Sequence, residues 1–450
     1  MHGLDRKSIT RMVGNVFLEQ MFLMSMLTIN GIMVSHAGAD ALSGVSVIDQ
    51  VHLFMSFLFL CSAYGVVVVV AQAIGADRYH EVPGIGRQAY LMSLALSAFC
   101  MLAAIFLGGP VCSLLLGKAE QAIFDSGLLY LRVYALSYPF FAFYSVSISI
   151  LRGRGNTRAP MIISVAMNLV NITLNALFIY VFNLGVIGAA LSVIIARVFA
   201  ALLCAALIRR AGLYGRYREF FTFKPTGRYI RSLTQMGMPP GLESLLFQIG
   251  RIVINMIVVS AGSVHIAANA IVLNGMDMVG CGGLVAYTIG IPMMGWAKGQ
   301  GDRALMKKTM RNTLLMSHGF LAVTALAMMP LIQWVAGLYN VDPEALRIGR
   351  LSILTYGFAS VLLYPSCFVI PGVLRGAGDA RVLAGLSVAV VYTVRIPATY
   401  IFCLVLRLGA FGAVLAMLTD WVFRASGCIL RMARGKWLPP AAPAEAPSLQ

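Results

Sequence analysis

The sequence predicts an all-α integral membrane protein: twelve transmembrane helices in two parallel six-helix repeats, related by a pseudo-twofold axis along the membrane normal. Three observations carry that reading. The chain is 59% hydrophobic and 11% charged with a mean hydropathy of +0.84, whereas soluble domains carry roughly 25% charged residues. It also repeats itself: Leu151-Arg-Gly-Arg-Gly-Asn-Thr-Arg158 returns 223 residues later as Leu374-Arg-Gly-Ala-Gly-Asp-Ala-Arg381, identical at five of eight positions. Finally, its basic residues fall on one side of any twelve-span topology.

The apolar stretches long enough to cross about 30 Å of hydrocarbon as helix lie near 14–36, 47–74, 88–109, 127–150, 160–183 and 186–208. Their second-half partners lie near 238–262, 266–296, 313–336, 346–373, 382–406 and 409–430. Short polar turns at Asn183 and Arg407 split the last pair of each half. At an offset of 224, Leu184-Gly-x-x-Gly188-Ala189 matches Leu408-Gly-x-x-Gly412-Ala413, Gly38 matches Gly262, Gly75 matches Gly299 and Glu19 matches Glu243. Fixed-period self-similarity defines a duplicated architecture. Six spans per repeat is an even number, so the second copy enters the membrane in the orientation of the first. The domains expected are an N-terminal lobe over 1–212, a basic linker over 213–236, a C-terminal lobe over 237–432 and a disordered tail over 433–450. The polar, short N-terminus and the long first apolar run do not read as a cleavable signal.

The net charge of +17 resolves into topology rather than nucleic-acid binding. With the N-terminus in the cytoplasm, 25 of the 34 Lys and Arg residues fall on cytoplasmic segments, and only Lys118, Arg347, Arg350 and Arg407 fall outside. That is the positive-inside rule, and it puts both termini in the cytoplasm of a cell (inner or plasma) membrane. The eight cysteines lie in or beside apolar spans without metal-ligand spacing and read as small buried residues. No phosphate-cradling loop, metalloprotease helix or nucleophile triad is present, so neither catalysis nor ATP binding is expected. Movement across the membrane then draws on an ion gradient or on the substrate's own gradient, with no cofactor and no metal.

An ordered set of motifs resembles the multidrug and toxic compound extrusion (MATE) transporters over residues 12–432. Asn30-Gly-Ile-Met-Val-Ser-His-Ala-Gly38 looks like the family's span-1 signature. The two Leu-Arg-Gly-x-Gly loops look like those after its spans 4 and 10. Asn171-Ile-Thr-Leu-Asn175, followed by Leu184-Gly-Val-Ile-Gly188, resembles its span 5–6 hinge. Gly237-Met-Pro-Pro-Gly-Leu-Glu243 resembles the start of its span 7, and Arg395-Ile-Pro397 its span 11. The resemblance implies a secondary exporter of cationic or amphipathic small molecules, working by cation antiport and alternating access. The chain departs from the family where carboxylates are familiar: Asn30, Asn175, Gln248 and Tyr364 stand at those positions. The alternative is an exporter or flippase of lipid-linked or anionic compounds on a related scaffold.

Ionisable residues inside a membrane are costly and are functional candidates by default. Arg251 sits about 18 Å into span 7 at 1.5 Å per residue, near the midplane, with Asp277 and Arg395 similarly deep. Arg251 and Asp277 read either as a locking ion pair or as a switch in which Asp277 turns to a proton or a cationic substrate. Arg395 reads as a carbonyl-capping strut or a binder of anions. Glu19 and Glu243, about one turn into their helices, read as dipole partners or as a negative inner mouth that attracts cations. Asp49, Arg132, Arg197, Asp420 and Arg424 fall toward span ends, where long side chains snorkel. The arginines of the Gly-rich loops read as headgroup anchors or gating residues. Gly280, Gly282, Gly283, Gly290 and Pro292 mark span 8 as the most kink-prone. The coupling ion expected is the proton, with sodium as the alternative. The partners expected are a small-molecule substrate and membrane lipids, with no nucleic acid and a monomeric state.

Overall fold

The computed structural model describes residues 6–35, 39–116, 121–210, 212, 225–336 and 342–440, and among these every regular element is helical. Among the described residues nine helices are long and apolar enough to cross a membrane, from Val47–Gly75 (span 2) to Gly409–Ala433 (span 12). Ile123–Ala135 and Tyr138–Gly153, bent by 47°, make span 4 a broken tenth. Arg6–Ser35 and Arg303–Ala336 are the long helices at the places expected of spans 1 and 9. The remaining spans are Tyr79–Phe106 (3), Arg158–Val181 (5), Gly185–Arg210 (6), Gly227–Ser260 (7), Ser263–Gln300 (8), Pro343–Gly376 (10) and Ala380–Val405 (11).

The duplication is written in the backbone as well as in the sequence. Left-handed residues recur at the repeat offset: Asp77 with Gly301, Gly155 with Gly378, Asn183 with Arg407, and Gly185 with Gly409. Spans 5 and 11 each end in a π-helical turn, Leu177–Val181 and Ile401–Val405, one repeat apart. Span pairing also matches: 1 packs on 5, 2 on 4 and 5 on 6, as 7 packs on 11, 8 on 10 and 11 on 12.

The lobes meet through spans 1, 2, 7 and 8, and the meeting is closest toward the arginine-rich face. A Cβ on Gly75 would lie 2.2 Å from the Trp296 carbonyl oxygen, and one on its repeat partner Gly299 would lie 2.3 Å from that of Gln72. Only glycine permits this backbone approach. Two hydrogen bonds, related by the repeat, latch the lobes there. Gln72 Nε2 donates to the Gly376 carbonyl at 2.9 Å, and Trp296 Nε1 to the Gly153 carbonyl at 2.8 Å. The arginine-rich face is therefore closed.

Two boundaries differ from expectation. Span 7 starts at Gly227, inside the expected linker, and residues 213–224 lie outside the described residues. The start of the tail is anchored: Trp437 is buried and donates from Nε1 to the Met432 carbonyl at 2.9 Å, while 441–450 lie outside the described residues. Span 8 stays helical from Ser263 to Gln300. Two of its glycines allow close packing, Gly282 against Phe320 and Gly283 against the Tyr364 ring.

Candidate functional site

Between the lobes lies a cavity of about 270 Å³, whose walls come from spans 2, 7, 8, 10 and 12. Phe57 and Tyr64 face it from the N-terminal lobe. Phe247, Tyr287, Tyr364 and Phe368 add rings from the C-terminal lobe, and Gln248, Arg251, Arg375, Arg424 and Glu243 supply the polar groups. Gln248 Nε2 reaches Gln50 Oε1 of span 2 at 3.5 Å, a contact that crosses the lobes at cavity level. A second space of about 220 Å³ shares Tyr64, Leu284, Tyr287 and Arg375 and extends to Arg152. Aromatic walls with a few fixed polar groups suit a small amphipathic ligand.

The π-helical turn Pro365–Val369 rotates span 10 where Cys367 and Phe368 line the cavity. A second one, Val391–Arg395, carries Arg395 to within 5.6 Å of the Phe247 ring centroid. Such turns re-aim side chains without breaking a helix.

Glu19 and Glu243 do not form a negative mouth. Arg152 Nη2 donates to Glu19 Oε1 at 2.8 Å, Ser164 Oγ donates to the same oxygen at 2.9 Å, and Arg375 pairs with Glu243. These are the duplicated glutamates bound to the duplicated loop arginines, so each lobe staples its first span to its fourth. Arg152 and Arg375 thus turn into the protein rather than outward to headgroups. Arg251 and Asp277 are both exposed, and no ion pair or hydrogen bond joins them, although Arg251 is close enough to act on Asp277 electrostatically. The locking pair is not formed, because Arg251 turns into the cavity while Asp277 does not line it. Nor is Arg395 a carbonyl strut: its guanidinium lies over a ring, and its buried Nε has no hydrogen-bond partner.

Asn171 and Asn175 stand apart from the cavity, both bound to Ser192 of span 6 at 3.4 and 2.5 Å. They tie spans 5 and 6 together. The Asn30 side chain lies outside the described residues. The cavity therefore gathers Arg251, Glu243, Gln248 and Tyr364, has Arg395 next to it across Phe247, and leaves out Asp277, Glu19, Asn171 and Asn175.

The sequence reading missed the buried centre of the C-terminal lobe. Asp420 and Arg424 are 0% and 1% exposed, not snorkelling, and Arg424 Nη2 reaches both Asp420 oxygens at 3.1 and 2.9 Å. The guanidinium also lies 5.0 Å from Phe247 and 5.2 Å from Phe368. Their i,i+4 spacing on span 12 was the signal available. A polar cluster in the N-terminal lobe was missed as well. Tyr130 donates to Asp49 at 2.9 Å, His52 Nδ1 meets the Tyr138 hydroxyl at 2.7 Å, and Arg197 donates to Ser137 and Tyr134 at 2.7 and 2.8 Å.

Comparison with known proteins places this architecture. The family profile MatE matches residues 16–177 and 239–401, one copy in each lobe. The chain is similar to a probable multidrug resistance protein NorM of Thermotoga maritima, 24% identical over 416 residues that cover 90% of this chain and 87% of that protein. It is also similar to the multidrug resistance protein PmpM of Pseudomonas aeruginosa, 24% identical over 96% of this chain and 87% of that protein. Among solved structures, a MOP superfamily transporter from Pyrococcus furiosus, described as having a binding pocket of reverse polarity, superposes with a TM-score of 0.84. It is 21% identical and covers 96% of this chain and 97% of its own. A crystal structure of MATE in the straight conformation gives a TM-score of 0.84 at 20% identity, covering 95% of each chain.

Proposed function

The chain belongs to the MATE family, whose members are transporters, and we propose that it is a secondary active exporter of amphipathic small molecules, driven by proton antiport. The observation that carries this reading is the aromatic, polar cavity walled by both lobes above a closed arginine-rich face. Rocking the lobes about that cavity exposes it to one side at a time. On this reading the protein is a monomer in the inner or plasma membrane with both termini cytoplasmic, and it transports without covalent chemistry or a cofactor.

A second reading concerns charge. Among the described residues the buried Nε donors of Arg375, Arg395 and Arg424 have no partner, and Arg251 lines the cavity. The one acid there, Glu243, is already paired with Arg375. An oxyanion brings acceptors to such donors and a cation does not. The lining therefore favours acidic amphiphiles over the cations implied by family resemblance.

For coupling, Asp277 is the proposed proton carrier. Sodium needs several hard oxygen ligands, by analogy with other hard cations, and Gln248 and Tyr364 stand where sodium-linked relatives are expected to place carboxylates. In reconstituted vesicles, a pH gradient should drive dye movement, a sodium gradient alone should not, and Asp277→Asn should abolish the response to pH. Transport driven by sodium alone, or an Asp277→Asn protein that still follows the pH gradient, would remove proton coupling at Asp277.

A further inference from the structure

We propose that the arginine-rich face carries a binding site for a phosphate-type oxyanion, and that this site exists only while the two lobes are closed there. The pocket measures about 760 Å³. Arg11 and Asn15 of span 1 and Arg154, Asn156 and Arg158 of the span 4–5 loop line it, with Trp296 of the other lobe as its far wall.

The chemistry is one-sided. Three arginines from two elements line the pocket, no acid is among the lining residues, and among the described residues none of the three side chains has a hydrogen-bond or ion-pair partner. Glu19, the acid beside this loop, is held by Arg152. The loop itself is already satisfied: Asn15 Nδ2 donates to Thr157 Oγ1 at 3.2 Å, and Asn156 Oδ1 accepts from the Ala159 amide at 3.1 Å. Among the described residues the arginines are therefore left as free donors, and planar guanidinium forks match phosphate oxygens bidentately. The volume exceeds that of bare phosphate and admits a phosphate ester.

The duplication supplies an internal control. At the repeat offsets, Gln235 stands for Arg11 and Ala377 for Arg154, while Arg381 keeps Arg158. The equivalent turn at Gly378 folds without the first two of those charges, so neither the turn nor the latch requires Arg11 or Arg154. Positive-inside topology alone does not gather them around one cavity either.

Closure makes the site. Trp296 Nε1 is latched to the Gly153 carbonyl, and its ring lies so close to Gly155 that a Cβ there would meet it at 2.8 Å. When the lobes part, this wall leaves. An occupant then stabilises the closed face by its differential affinity for that state, independently of what the central cavity carries.

The test is thermal unfolding of the full chain in uncharged detergent, titrated with inorganic phosphate against chloride at matched ionic strength. In parallel, nanodiscs of phosphatidylglycerol are compared with nanodiscs of phosphatidylcholine. Wild type should show a saturable rise in midpoint. The triple variant Arg11→Gln, Arg154→Gln, Arg158→Gln should bind about tenfold or more weakly, in line with losing charge-assisted bonds. Trp296→Phe keeps all three arginines but removes the latch, and should also weaken binding. Lys307→Gln, Lys308→Gln, Arg311→Gln removes the same charge elsewhere on that face and should respond as wild type does. A response to phosphate assigns a free oxyanion, and a response to anionic lipid alone assigns a headgroup. The proposal is overturned if wild type responds to neither, if the triple variant matches wild type, or if the control loses the response equally.

Discussion

Replacing Asp420 by Ala should destabilise the purified protein by about 3–5 kcal/mol, the usual cost of removing one partner from a buried ion pair. The size follows from burial. Arg424 is 1% exposed, both Asp420 oxygens face its Nη2, and its Nε has no other partner. Without the carboxylate, a full positive charge is left against Phe247 and Phe368, whose rings offset only part of the loss. The double change Asp420→Leu, Arg424→Met replaces the pair with apolar volume and should recover most of that stability. It should still impair transport, because Arg424 lines the cavity. Denaturation midpoints of the three proteins decide this. A loss below about 1 kcal/mol for Asp420→Ala is what a solvent-exposed pair gives, and would contradict the buried geometry.

Gly237→Val should hold the lobes apart at the arginine-rich face. A Cβ at Gly237 would lie 2.0 Å from the Cys61 carbonyl oxygen, and one at Gly241 would lie 1.8 Å from Cys61 Sγ. Backbone cannot yield that much within a packed helix pair, so the interface between spans 2 and 7 opens instead. Inverting such an equilibrium from 99:1 closed to 99:1 open takes about 5.5 kcal/mol, and a branched side chain forced into this contact is of that order. Spin labels at Tyr79 and Arg303, on repeat-related loops of opposite lobes, should move apart in the variant in a cysteine-replaced background. Gly237→Ala should do the same to a smaller degree. Unchanged distances in a folded Gly237→Val protein would show that the face is not closed through this contact.

The duplicated fold was legible because span length, charge asymmetry and the 224-residue offset are properties of the chain itself. The left-handed turns at Asn183 and Arg407 and the close approach of Gly75 and Gly299 follow from it. Position along span 7 was readable for Arg251, since rise per residue is fixed. Its direction was not: span 7 is apolar nearly all round, and such a helix carries little information about which face turns inward. That is why the Arg251–Asp277 pairing failed while Arg251 still reached the cavity. The Glu19–Arg152 and Glu243–Arg375 pairs could have been found, because both charges are duplicated at matching offsets and opposite charges inherited together invite pairing. Asp420 and Arg424 were placed toward a span end, where snorkelling is open to arginine. The packing of spans 7, 8, 10 and 11 on span 12 buries them.

The central claim is that the cavity between the lobes carries amphipathic substrates and favours acidic ones. It is tested most directly by efflux from vesicles of two dyes that share one ring system, one acidic and one basic, under a fixed pH gradient. The account predicts that wild type exports the acidic dye faster, and that Arg251→Gln lowers that rate about tenfold, as loss of a charge-assisted bond in the cavity implies, while leaving the basic dye unaffected. Faster export of the basic dye, with acidic-dye export untouched by Arg251→Gln, would contradict it.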